Sequence, residues 1–201
     1  MEYENHIFIS YARGEFWTEW VNKQFVPRLR AYLENQTGSL KVFVDKEIQP
    51  GANFDYLLKR NVARSMIMIP LLSPHYFSRV WCRTELALML ERERFIGLEG
   101  QGNNYGLIIP VRLGDGDMFP DLIGHIQYLD FEDCAILRFP ENSLIAQRFD
   151  EKLISLAKIV ATTLPNVPHW DDRWEKLTCT DLLPQLTPKK LTTSTPPRLI
   201  V

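Results

Sequence analysis

Cysteine is scarce in this chain. Its 201 residues include three, Cys82, Cys134 and Cys179, an odd number at wide spacing, which rules out a disulfide scaffold. No two stand at CxxC spacing, and none of the four histidines has a second ligand type at a usable interval, so no metal site is expected. The thiols read as small buried apolar groups of a reducing, cytoplasmic protein. Long apolar runs are missing as well. None approaches the ~20 residues of a membrane-spanning helix, and the opening MEYENHIFIS lacks the basic start and apolar core of a secretory signal. Charge of one sign is not in excess. Lys and Arg number 23 against 25 Asp and Glu, a net charge of −2, which argues against a nucleic-acid binder and gives no reason for adhesion to a membrane. Glycine-rich phosphate cradles (GxxxxGKS/T, GxGxxG) and the GxSxG nucleophile elbow are absent.

What the chain does have is an alternation of strand and helix signals. Residues 6–10 (HIFIS) are short and β-rich, a buried strand. From residue 15 to about 36, Phe16, Trp20, Val21, Phe25, Leu29 and Leu33 recur at helical steps; Pro27 marks a kink or break, and Gly38 a stop. Residues 41–45 (KVFVD) give a second strand, followed by a loop whose Pro50-Gly51 pair suits a type II turn. Phe54, Leu57, Leu58 and Val62 mark a short helix, and residues 65–72 (SMIMIPLL) a central parallel strand covered on both faces. A helix from about residue 79 to 95 ends in Glu91-Arg92-Glu93-Arg94, which reads as a solvated face. Residues 106–112 and 127–131 supply two more strands, and 144–164 a closing helix. Repeated alternation of this kind predicts an α/β, flavodoxin-like three-layer sandwich with a five-stranded parallel sheet in the order 2-1-3-4-5.

The chain changes character at Pro165. The last 37 residues hold six of the thirteen prolines and six threonines, and residues 165–201 read as a Pro/Thr-rich extension, partly docked or disordered, after a domain of residues 1–164. Trp170 and Trp174, four apart, favour packing back on the domain over serving a partner.

In such a sheet, ligands bind beyond the carboxyl ends of the strands where the order reverses, between strands one and three. That rule selects the residues after Ser10 and after Leu72. Trp81 and Glu85 open the next helix at i and i+4, one turn apart on one face. A carboxylate beside an aromatic slab, with Arg13 arriving from strand one, suits a sugar-nucleotide pocket. The ring stacks on a base, the carboxylate takes a ribose diol and steadies an oxocarbenium ion, and the arginine pairs with phosphate. The plain alternative is Trp81 as core filler, Glu85 as an exposed helix residue and Arg13 as a surface charge. A Ser73–His75 pair has no orienting acid in reach, and a receiver-type phosphoacceptor Asp is replaced by Leu72-Ser73.

The same residues carry a family resemblance. Phe8-Ile9-Ser10-Tyr11, then Val42-Phe43-Val44-Asp45 with Pro50-Gly51 and Phe54, then Leu71-Leu72-Ser73 with Tyr76, then Trp81-Cys82-Arg83-Thr84-Glu85-Leu86 together resemble a Toll/interleukin-1 receptor (TIR) domain over about residues 4–164. The resemblance implies one of two roles. Some members are adaptors that signal by assembling. Others cleave NAD at the nicotinamide–ribose bond, giving nicotinamide and ADP-ribose or a cyclic isomer, with NAD as substrate and no cofactor.

The glutamate of WCxxE marks the second branch, and here it is Glu85. By the same resemblance Trp81 lines the pocket and influences cyclisation, Ser10, Tyr11, Arg13, Asp45, Phe54 and Ser73 surround the nucleotide, and the loop with Ile48, Pro50 and Gly51 (the BB loop) mediates self-association or contact with other TIR domains. Two departures from the family pattern stand out: Ala12 precedes Arg13 where two basic residues are common, and Arg79 stands where a serine is common. Arg79 is the candidate for the second phosphate contact. Implied further are a bacterial, anti-phage immune effector and activation by self-assembly. The competing expectations are a non-catalytic interaction module and another nucleoside or nucleotide N-glycosidase.

Overall fold

The computed structural model describes residues 2–44, 54–98, 106–124 and 126–189, with backbone alone for 54–58. Asp45, Ile48, Pro50 and Gly51, and the side chain of Phe54, lie outside the described residues. Five parallel strands, Asn5–Tyr11 (β1), Val42–Val44 (β2), Ser65–Leu72 (β3), Val111–Arg112 (β4) and Leu129–Asp130 (β5), form one sheet in the order β2-β1-β3-β4-β5. This is the predicted flavodoxin-like order.

Period-two alternation splits the central strands between two cores. Ile7, Ile9 and Tyr11 join Ile67, Ile69 and Leu71 in one, against Trp20, Phe25 and Phe149. Phe8, Ala12, Met68 and Leu72 join Tyr76, Leu86 and Met89 in the other. The first core is covered by Glu15–Trp20 (α1), Val26–Thr37 (α2) and the late helix Leu144–Thr163 (α6). The second is covered by Phe54–Ala63 (α3), Pro74–Ser78 (α4) and Val80–Phe95 (α5).

Pro27 neither breaks nor sharply ends its helix. A π-helical turn, Val21–Phe25, joins α1 to α2, and the Val26 N–H reaches back five residues to the Val21 carbonyl. Pro27 has no N–H to give and its ring crowds the carbonyl four residues back; the wider turn accommodates both. Gly38, at φ 79°, then ends α2 in a backbone region that side chains disfavour. Strand β4 is shorter than the apolar run that predicts it. Met68 donates to the Leu107 carbonyl and Ile109 to the Met68 carbonyl. By the same parallel pattern residue 70 would serve Ile109, and residue 70 is a proline with no donor.

The Glu91–Arg94 stretch is not a solvated face. Arg92 is 1% exposed, donating from Nη1 to the Ser65 carbonyl (2.6 Å) and from Nη2 to the Tyr3 hydroxyl (2.6 Å). Glu93 turns inward too, accepting from the Leu107 and Ile108 backbone N–H groups. The Trp174 ring covers Arg92, its centre 4.0 Å from the guanidinium carbon. Trp174 is buried, and Cys179, Leu182 and Leu186 join the second core. Trp170 donates to the Ala63 carbonyl (3.2 Å), and Arg64 pairs with Glu175. Among the described residues no helix is long and apolar enough to cross a membrane.

Candidate functional site

The site forms where β1 and β3 end. Ser10, next to last in β1, points to the second core because Ile9 and Tyr11 point to the first. After β3, Ser73 and Pro74 start α4 in the expected way: Ser73 Oγ accepts from the Tyr76 N–H (3.2 Å), and proline sits at the first helical position. Ser73 thus caps α4. The turn aims Tyr76 inward, fully buried. Arg79 is extended, and α5 begins at Val80.

Along the first two turns of α5 the plain reading of the sequence inverts. Trp81 is 46% exposed and Glu85 is 2% exposed. The indole and the carboxyl stand one turn apart, about 6 Å along the axis. Ser10 Oγ donates to Glu85 Oε2. The Tyr76 hydroxyl lies 2.8 Å from Ser10 Oγ and donates to the Cys82 carbonyl at 3.0 Å. Burial, with smaller contributions from Cys82 and Glu85, raises the Tyr76 phenol well above its usual range, so it stays protonated.

Of the residues singled out from sequence, the structure brings Ser10 and Glu85 into contact and sets Trp81 above them. His75 links the Arg79 side chain to the Arg13 backbone: Arg79 Nε donates to His75 Nε2 (3.2 Å), and that nitrogen lies 3.4 Å from the Arg13 carbonyl oxygen. Tyr11 is not brought to Glu85. Its ring belongs to the opposite core, and only its carbonyl reaches this side, accepting from Cys82 Sγ at 3.5 Å. Tyr76 was not singled out as a site residue; the Ser-Pro cap three residues before it was the available signal. A separate cleft of about 230 Å³, lined by Leu72, Leu86, Arg112, Phe119 and Tyr128 among others, includes none of Ser10, Tyr76, Trp81 or Glu85. Among the described residues no cluster of His, Cys, Asp and Glu could hold a metal.

The sequence matches a known family: residues 7–143 fit the family model described as TIR domain. The chain belongs to the TIR domain family. The match runs from β1 to the residue before α6, so α6 and the docked residues 165–189 lie beyond it. A comparison with curated proteins finds no significant match. Among solved structures, the TIR domain of the Toll-related receptor TRR-2 from Hydra magnipapillata is 21% identical, with a TM-score of 0.44, over 77% of this chain and 98% of that one. The TIR domains of the activated Roq1 resistosome, which recognises the pathogen effector XopQ, are 20% identical, with a TM-score of 0.40, over 82% of this chain and 97% of that one. TIR domains as a family include NAD-cleaving enzymes and adaptors, and they associate with one another.

Proposed function

We propose that this TIR protein cleaves NAD between nicotinamide and ribose, with Glu85 as the catalytic carboxylate. The observation that supports this reading is the inversion on α5: a carboxyl 2% exposed beneath an indole 46% exposed, at the reversal point of the sheet. Nothing in protein stability favours that pairing, since burying a carboxyl costs free energy and exposing an indole forgoes it.

Nicotinamide leaves NAD as a neutral base from a cationic precursor, so the C1′–N bond needs no strong acid to break. The electron pair departs with nicotinamide and positive charge grows on the ribose. A carboxylate held in a dry site stabilises that charge far more than it would in water. Water then attacks C1′ to give ADP-ribose, or a nitrogen of the adenine does so to give a cyclic isomer, and in either case one proton is released to solvent. Trp81 offers a face for nicotinamide or base, and Arg13 and Arg79 offer cations for the diphosphate. NAD enters as substrate, and the chain needs no other cofactor. A cytoplasmic, bacterial, anti-phage effector that signals or depletes NAD after self-assembly through the loop at Ile48, Pro50 and Gly51 fits this chemistry.

The test is nicotinamide release from NAD over a wide range of protein concentration. The wild-type chain should release nicotinamide, with linear or cyclic ADP-ribose alongside. Glu85→Gln should be at least ~10²-fold slower while still folded, the loss typical of one electrostatic group in the transition state. Unchanged release by a folded Glu85→Gln would end the proposal, and no release at any concentration would favour the adaptor role.

A further inference from the structure

Three contacts link four groups beneath the site: Glu85 Oε2 to Ser10 Oγ, Ser10 Oγ to Tyr76 Oη, and Tyr76 Oη to the Cys82 carbonyl. Ser10 and Tyr76 are fully buried and Glu85 nearly so, so water is a poor substitute for any of them. Each hydroxyl has one proton to give, and the carbonyl has none. With Glu85 ionised, two protons serve three contacts. With Glu85 protonated, three protons serve three contacts, and every donor points one way: Glu85 to Ser10, Ser10 to Tyr76, Tyr76 to Cys82. When Glu85 loses its proton, Ser10 turns to donate to the carboxylate and the Tyr76 proton is shared between Ser10 and the Cys82 carbonyl.

We propose that Ser10 and Tyr76 are positioning residues for Glu85, a two-hydroxyl relay that offers the carboxyl an acceptor when it is protonated and a donor when it is ionised. The relay thereby holds Glu85 in one place through both states. Its elements come from three parts of the fold: Ser10 from β1, Tyr76 from α4, and Cys82 from the first turn of α5. Among the described contacts the titratable group that faces Glu85 through Ser10 is Tyr76, which Cys82 also faces. The Tyr76 phenol stays protonated, so its proton is always available. That Glu85 acts on NAD rests on the function proposed above; the relay itself rests only on the geometry.

The test follows the carboxyl carbon of Glu85 by NMR in the full chain labelled with 13C-glutamate, the resonance being assigned by its loss in Glu85→Gln. Tyr76→Phe removes the acceptor that competes for the Ser10 proton, so Ser10 commits to the carboxylate and the titration midpoint falls by about one pH unit. Ser10→Ala removes a donor from a buried carboxylate, and the midpoint rises by about one to two units. Ser10→Thr keeps a hydroxyl and stays close to wild type. Opposite shifts for Tyr76→Phe and Ser10→Ala support the relay. Shifts of one sign, or none, overturn it.

If Ser10→Ala does not fold, the remaining pair still decides: Tyr76→Phe must lower the midpoint while Ser10→Thr does not. Nicotinamide release by the same preparations separates the two readings. Opposite shifts in a protein that never releases nicotinamide keep the relay and refute NAD cleavage. Release that depends on Glu85, without opposite shifts, keeps cleavage and refutes the relay.

Discussion

Replacing Trp174 by alanine tests whether residues 165–189 belong to the folded unit. Trp174 is 4% exposed and caps a guanidinium 1% exposed, and the Tyr3 ring stacks on it at 5.8 Å. Trp174→Ala removes one of the largest buried side chains, a change that costs about 3–5 kcal/mol in a core. It also removes the ring face from Arg92, a contact worth up to about 2 kcal/mol when desolvated. Part of that returns as water reaches the exposed guanidinium, so a net loss of about 3–4 kcal/mol is expected.

Trp174→Phe keeps a ring face and discards an indole N–H that is buried with no partner in the structure. It should cost about 1 kcal/mol. The assay is equilibrium urea unfolding of the full chain between roughly pH 6 and 8. Burial lowers Arg92 to about 10. That folded value lies below the unfolded one, so added stability appears only as pH rises through and beyond about 10. Arg92 is charged in both states across the assay range and contributes no slope there. Trp174→Ala within 1 kcal/mol of wild type would show that the segment is not integral to the fold. Equal costs for alanine and phenylalanine would refute the cation–ring contact.

Trp81 is close to half exposed, so Trp81→Ala should change unfolding free energy by less than about 0.5 kcal/mol. It should nonetheless shift the ratio of cyclic to linear product by chromatography of NAD reactions; an unchanged ratio removes its role in the site. The three cysteines are buried, and burial pushes the Cys134 thiol up to about 11. At pH 8 a thiol reagent should therefore label the native protein at least ~10²-fold more slowly than the unfolded chain. In Trp174→Ala, Cys179 should label before Cys134; equal rates would show that undocking does not precede global unfolding.

The sheet was legible because its signals are local. SMIMIPLL reads as a strand covered on both faces wherever it sits, and Ser73-Pro74 and Gly38 punctuate helices by their own chemistry. What sequence concealed depends on distant partners. Glu-Arg-Glu-Arg is the same string on a solvated face or a buried one; the partners that bury Arg92 are distant in sequence, Tyr3 and Ser65 before it and Trp174, 82 positions beyond it. The pairing of Ser10 with Tyr76 spans 66 positions and that with Glu85 spans 75. Tyr11 is different. Strand alternation sends neighbours to opposite faces, so Ser10 and Tyr11 could not both point at one pocket from β1, and the sequence already contained that constraint.

The docked segment and the site meet on one helix. Residues 165–189 touch α5 near both ends: Trp174 covers Arg92, and Thr187 Oγ1 accepts from Arg83 Nη1 at 3.1 Å. Nine residues, about 14 Å of helix, separate those two contacts, and Glu85 lies between them. The Glu85 carboxyl meets a hydroxyl on β1, an element that cannot follow a sliding helix. A reacting constellation tolerates displacements of only about 0.5 Å before its geometry fails, and a helix held by a single face against a sheet can shift by more. The contacts at Arg83 and Arg92 tie α5 to the docked segment at two points. Residues 165–189, which composition sets apart from the domain, thus contact α5 on either side of the residue that meets Ser10.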